Sequence, residues 1–181
     1  MNWLVHGWQI VRWILDKGTL MNVLLPENID KIRMVKRPVA VPYNYRIMYK
    51  LAQIVLIMAK CCINKGCSMQ KVQMISSGLS SKDEFDRLRS FIEGKMQYPI
   101  IRYDPSINRA IVYALAEKLL FKQGNGLFRL TPKGKEFASA LEIDEPIMAL
   151  EKDYLREISN RLTEDKIKSV IADWRTFDVQ N

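Results

Sequence analysis

Four cationic side chains gather around one short stretch of this sequence and supply its clearest candidate for binding chemistry. They are Lys122, Arg129, Lys133 and Lys135, within fourteen residues. Cations on a protruding hairpin can contact a phosphate backbone without reading bases. Lysines on such an edge also serve simply to keep it soluble and unpaired. Together with Arg109, which lies upstream, they are the predicted contacts to double-stranded DNA, and such binding would be non-specific and salt-dependent.

The sequence contains no recognisable catalytic motif. It has no nucleophile elbow, no P-loop, no paired histidines and no Cys-X-X-Cys pair. His6 is the one histidine. It has no second histidine, thiol or carboxylate cluster beside it, so we interpret it as a packed side chain rather than a metal ligand. We therefore expect a protein that is not an enzyme and that holds neither a metal nor a cofactor.

Cysteine content and hydropathy indicate where the protein works. The clustered Cys61, Cys62 and Cys67 are odd in number and cannot all pair, which favours a reducing compartment. Zinc is disfavoured because vicinal cysteines in a helix do not easily reach one metal and a fourth ligand is missing. No apolar run has the length of a membrane span, since Arg12 and Asp16 interrupt the first candidate. The sequence predicts a cytoplasmic protein with no membrane partner.

The elements that must position the cations are a helix, a hairpin and a second helix. Asp104 precedes Pro105 as at a helix start, and apolar residues then recur at four-residue spacing. In residues 119–130 the hydrophobic period changes to about two around Gly-Asn-Gly, which predicts a β-hairpin. Thr131 and Pro132 begin the next helix. Helix, hairpin and helix are the core of a winged-helix domain, whose wing is the hairpin.

Hydrophobic periodicity predicts further helices upstream. The strongest covers residues 45–62 with one apolar face, and a short helix follows at residues 68–76. Ser81 with Glu84 fits the capping box of another helix. Residues 98–103 alternate as a short strand does, and such a strand can join the wing. The predicted fold class is therefore mainly α with a small β-hairpin.

Composition divides the chain into three parts. Residues 1–44 are an aromatic segment with a basic connector, residues 45–142 are the predicted winged-helix domain, and residues 143–181 are an acidic helical appendage. The net charge of +8 suits contact with nucleic acid or an acidic protein face. The apolar start must be core, face a partner or self-associate, because it cannot stay exposed to water. Its candidate interface residues are Trp3, Trp8 and Trp13.

The acidic C-terminal part predicts two helices. The first is expected to begin at residues 144–146, and the second follows Thr163. Helices appended to a winged helix commonly serve assembly. The predicted buried face of the first helix consists of Ile147, Leu150, Tyr154, Ile158 and Leu162.

Residues 119–138, Leu-Leu-Phe-Lys-Gln-Gly-Asn-Gly-Leu-Phe-Arg-Leu-Thr-Pro-Lys-Gly-Lys-Glu-Phe-Ala, resemble the wing and closing helix of winged-helix proteins. The wider layout combines an aromatic start, Arg37-Pro38, a long first helix and a wing followed by acidic helices. That layout resembles the small middle components of bacterial three-component ABC-ATPase defence systems, of which Lamassu is one. The resemblance implies a non-catalytic winged-helix subunit, akin to the accessory subunits of SMC complexes. Its implied partners are an SMC- or Rad50-like ATPase and an effector, often a nuclease, that stops phage or plasmid propagation.

Two functions of different classes compete. One is an assembly subunit of an SMC-like complex, and the other is a free winged-helix transcription regulator. A regulator requires a recognition helix with a basic, polar outer face and usually a self-dimerising tail. Residues 105–118 offer only Arg109 and Lys118 for such a face, whereas the apolar surplus lies in residues 1–15. The sequence therefore favours assembly.

Overall fold

The computed structural model describes residues 46–62, 66–96 and 103–178, which belong to one compact unit, Val41–Asn181. These residues form seven helices and one antiparallel hairpin, so the prediction of a mainly helical fold with a small hairpin is confirmed. The tryptophans of residues 1–44, the basic connector and most of the strand predicted at 98–103 lie outside the described residues. The elements are α1 (Ile47–Cys61), α2 (Met69–Gly78), α3 (Lys82–Ile92), α4 (Pro105–Ala116), β1 (Leu120–Lys122), β2 (Phe128–Leu130), α5 (Pro132–Ile143), α6 (Ala149–Ile158) and α7 (Glu164–Asp178).

Helix α1 is the centre of the core. Every residue from Lys50 to Met58 is buried, which covers all sides of the helix. The helix packs against α2, α4, α5, α6 and β2. The expectation of a single apolar face is therefore wrong, because α1 has neighbours all round rather than one solvated side.

Side-chain caps begin three of the helices as the sequence predicted. Ser81 accepts a hydrogen bond from the backbone N–H of Glu84 at the start of α3, at 3.3 Å. Asp104 accepts one from the N–H of Ser106 at the start of α4, at 2.9 Å. Thr131 does the same for Gly134 in α5, at 3.0 Å. These caps satisfy N–H groups that have no partner within the helix.

The hairpin of β1 and β2 is anchored to the segment between α1 and α2. Its register places Leu120 opposite Leu130, and at its turn Gly126 has a φ of +82°, which favours glycine. Cys67 forms a bridge to Phe128, with backbone hydrogen bonds of 2.9 Å in both directions. The strand β2 thus has β1 on one side and Cys67 on the other. No sequence signal marks this bridge, because one residue shows no periodicity.

Four lysines close the C-terminal ends of four helices. Each Nζ donates to a carbonyl that has no partner within its helix, and a cation there also complements the helix dipole. The charges of these four lysines, among 28 Lys and Arg residues in the chain, therefore stabilise the fold. The pairs are Lys71 with Cys61 at 2.7 Å, Lys166 with Ile92 at 2.8 Å, Lys133 with Glu117 at 2.9 Å and Lys152 with Asp144 at 2.7 Å.

Helices α6 and α7, predicted as an appendage, pack on the helices that precede the hairpin. The thiol of Cys61 in α1 donates to the carbonyl of Leu155 in α6. The carboxylate of Glu164 in α7 accepts from the N–H of Ser68 before α2, at 2.9 Å. No helix among the described residues is long and apolar enough to span a membrane.

The predicted buried face of α6 is confirmed at Ile147, Ile158 and Leu162 and is wrong at Leu150. Leu150 is 59% exposed, whereas Leu155, which the pattern omitted, is buried. The helix begins at Ala149 rather than near residue 144. Met148 has a left-handed φ of +53°, which is incompatible with a right-handed helix that continues through it. A later start changes the rotation of every following side chain about the helix axis. Leu150 therefore faces solvent, and Leu155 faces the core.

Candidate interaction surface around α4 and the hairpin

A buried polar network fixes the start of α4 against α1 and α2. The Nζ of Lys50 lies 2.9 Å from a carboxylate oxygen of Asp104. The amide of Gln73 donates to the carbonyl of Asp104 and accepts from its N–H, both at 3.1 Å. The hydroxyl of Ser76 donates to Gln53 at 2.9 Å. Because these groups are paired in a protein interior, they hold α4 in one position.

Asp104 is ionised within this network. Burial by itself raises the pKa of its carboxyl, but hydrogen bonds from Ser106 and Lys50, and the charge of Lys50, lower the pKa more. The result is a pKa below its ordinary value. The carboxylate therefore caps α4 and neutralises Lys50 at the same time.

The outward face of α4 is largely apolar. Its exposed positions are Pro105, Arg109, Val112, Tyr113 and Ala116, of which Arg109 alone is charged. Val112 is 65% exposed and Tyr113 is 54% exposed. A solvated helix normally places charged residues on such a face. Contiguous exposed apolar groups are a feature of protein-interaction, membrane-interaction and ligand-binding surfaces.

The structure does not bring the four predicted hairpin cations together. Lys122 is opposite Phe128 and Arg129 is opposite Phe121, so the two cations project from opposite faces of the hairpin. Lys133 is bound to the end of α4. Arg129 and Lys135 instead line one surface groove. Contact with DNA through these residues and Arg109 stays a prediction.

The contacts of Lys133 give it a structural role. Its Nζ donates to the carbonyl of Glu117 and also lies 3.6 Å from the Glu117 carboxylate. Replacing Lys133 with methionine is expected to lower the free energy of unfolding by about 1 kcal/mol, because one hydrogen bond to an orphan carbonyl is lost. Urea denaturation followed by circular dichroism measures it. The control is Lys135→Met, which removes an exposed lysine that caps no helix. Equal stability of the two variants would contradict the role assigned to Lys133.

The three cysteines are buried free thiols. Burial raises the pKa of Cys61 to about 12, and burial together with the neighbouring Cys62 raises the pKa of Cys67 well above its ordinary value. A raised pKa keeps a thiol protonated and unreactive. In the part of the chain that the structure describes, no three side chains of the metal-binding types are grouped to hold an ion.

No family model, curated protein or solved structure matches this chain. The described surface offers an apolar outer face on α4, exposed cations on Lys122 and Arg109, and a groove that contains Arg129 and Lys135.

Proposed function

We propose that this protein is a non-catalytic winged-helix accessory subunit of an SMC- or Rad50-like ATPase complex, and that α4 contacts the ATPase. The observation that carries the proposal is the outer face of α4, where Val112 and Tyr113 are exposed beside the single cation Arg109. Recognition of bases requires hydrogen-bonding side chains aimed at the groove. Aromatic and apolar residues are instead typical of protein interfaces.

The order of elements supports a winged-helix domain. In such a domain a helix-turn-helix is followed by a β-hairpin, and the helix next to the hairpin is the recognition helix. Here α4 is followed at once by β1 and β2, and α4 packs on α1. The bridge from Cys67 to Phe128 joins the hairpin to the segment before α2. The helix α3 is an addition between α2 and the recognition position.

The identity of the partners comes from the resemblance of residues 119–138 and of the wider layout to the middle components of Lamassu-type defence systems. The complex would act in the cytoplasm, with an effector, often a nuclease, that stops phage or plasmid propagation. The polar network around Asp104 supports an assembly role, because it holds the contact face in a fixed position before binding. A preorganised surface loses less conformational freedom when a partner binds.

Charged substitutions on α4 are expected to remove the ATPase from the complex. The variant combines Val112→Asp and Tyr113→Asp, both at exposed positions. Purification of the tagged full chain from its native host, followed by mass spectrometry, is expected to recover an SMC- or Rad50-like ATPase with the wild type. The double variant should recover at least about tenfold less, because it places charges in an apolar contact.

The control substitution is Ile143→Asp, which changes another exposed apolar residue, 81% exposed, at the end of α5. It should retain the ATPase. Recovery of the ATPase by the α4 variant, or absence of any such ATPase from the wild-type sample, would show that the proposed function is wrong.

Strong binding of the wild type to one operator-like duplex would support a transcription regulator instead. Non-specific binding would decay with salt by a log–log slope of about −0.9 for each phosphate contact.

A further inference from the structure

A surface groove of about 300 Å³ lies where α1, β2 and α5 meet. Its volume is at the lower end of the range for binding sites, about 300 to 1,000 Å³. Small side chains leave this space open, since Ala59 in α1 and Ala138 and Ser139 in α5 all line it. The complete lining is Met58, Ala59, Cys62, Arg129, Leu130, Lys135, Ala138 and Ser139.

The groove combines two cations with an apolar floor. Lys135, Ala138 and Ser139 share one face of α5 because they are three and four residues apart. Arg129 enters from the middle of β2. Among the described residues, neither the guanidinium of Arg129 nor the ammonium of Lys135 has an ion pair or a hydrogen bond. Met58, Leu130 and Ala138 supply apolar surface beside these two charges.

We infer that this groove binds a short acidic and apolar peptide segment of the partner protein, with a carboxylate between Arg129 and Lys135 and a neighbouring apolar side chain on the floor. A carboxylate suits the two cations because guanidinium and ammonium groups form their strongest hydrogen bonds with anions. A free phosphate would leave the apolar floor exposed to water. A phosphate of a DNA duplex would contact the two cations but would supply no apolar group to the floor.

The inference rests on the proposed function, since it names a second contact with the same complex. It also assigns a different role to two residues that the sequence suggested for DNA. Lys122 and Arg109 are exposed outside the groove and are free to meet a phosphate backbone. Arg129 and Lys135 then belong to the peptide groove, and Lys122 and Arg109 belong to a separate exposed surface.

Selection of a displayed library of random twelve-residue peptides on the purified full chain tests the inference. We expect the recovered peptides to share an Asp or Glu next to an apolar residue. One recovered peptide is then synthesised with a fluorescent label, and its affinity is measured by anisotropy. Replacing its acidic residue with the matching amide should weaken binding at least about tenfold, because a charge-assisted contact is lost.

Two variants locate the binding site. Arg129→Gln combined with Lys135→Gln should weaken peptide binding at least about tenfold, since both charges are removed. Ser139→Phe should block the groove from an exposed position without changing the core. Lys122→Gln and Arg109→Gln are matched controls, expected to bind as the wild type does. Circular dichroism checks that each variant is folded.

The outcomes separate this inference from the proposed function. Failure to recover an acidic and apolar motif, or equal peptide affinity for the wild type and the Ser139→Phe variant, would overturn the groove assignment. So would loss of random duplex binding, without loss of peptide binding, in the Arg129 and Lys135 variant. If peptide binding follows the expected pattern but no SMC- or Rad50-like ATPase is recovered from the host, the groove is a peptide site and the proposed partner is wrong.

Discussion

Replacing Gly134 with alanine is expected to lower the free energy of unfolding by about 3 kcal/mol, the upper part of the range for overpacking. A Cβ at this position would lie 2.1 Å from the carbonyl oxygen of Leu119 and 3.0 Å from its carbonyl carbon. The obstructing atoms belong to the backbone and cannot rotate away. The carbonyl of Leu119 is also held by the N–H of Thr131 at 3.0 Å. Either α5 or the start of the hairpin must therefore move.

Gly124→Ala is the matched control. Gly124 lies in the exposed turn of the same hairpin, and nothing is within 4 Å of a Cβ added there. Its substitution should change the free energy of unfolding by less than about 0.5 kcal/mol. Urea denaturation of both variants and the wild type, followed by circular dichroism, provides the comparison. If Gly134→Ala is as stable as Gly124→Ala, the close approach of α5 to the hairpin is wrong.

Replacing Asp104 with asparagine is expected to destabilise the protein by about 2 to 3 kcal/mol, because it leaves the charge of Lys50 without its partner. The side chain of Lys50 is 8% exposed and that of Asp104 is 23% exposed, so water screens the pair only in part. Asparagine caps a helix about as well as aspartate does. The substitution therefore removes the ion pair and leaves the cap.

The double variant Lys50→Met with Asp104→Asn distinguishes the ion pair from a general loss of packing. Because it leaves no buried charge, it should recover most of the stability that Asp104→Asn loses. Thermal and urea denaturation of the wild type, the two single variants and the double variant measure the coupling. A double variant no more stable than Asp104→Asn would contradict the role of the pair.

The same pair sets a pH dependence. The pKa of Asp104 is lowered in the folded protein, so its contribution to stability is present above its ordinary value of 3.8. That contribution is lost as the pH falls through the lowered pKa, because the folded protein must then bind the proton. The difference in stability between wild type and Asp104→Asn should therefore shrink on acidification below about pH 4. A difference that stays constant there would exclude Asp104 as its source.

Local chemistry in the sequence determined where several elements begin and where the chain reverses. Ser81, Asp104 and Thr131 cap helices with contacts that span three residues or fewer, so neighbouring residues suffice to predict them. The hairpin followed from apolar residues on either side of Gly-Asn-Gly, and Gly126 takes the positive φ that such a turn requires. These signals do not depend on the rest of the fold.

Tertiary structure alone decided what the charged and apolar residues do. The sequence alone does not distinguish a lysine that binds a ligand from one that caps a helix. The positions of α4 and α5 show that Lys133 caps the C-terminal end of α4. Val112 and Tyr113 are exposed because the opposite side of α4 packs on α1. As apolar residues in a helix, they could equally be core residues when judged from the sequence alone. The groove of Arg129 and Lys135 exists because α1, β2 and α5 converge around small side chains. Such contacts join residues far apart in the chain, and local periodicity carries no information about which distant segments will meet.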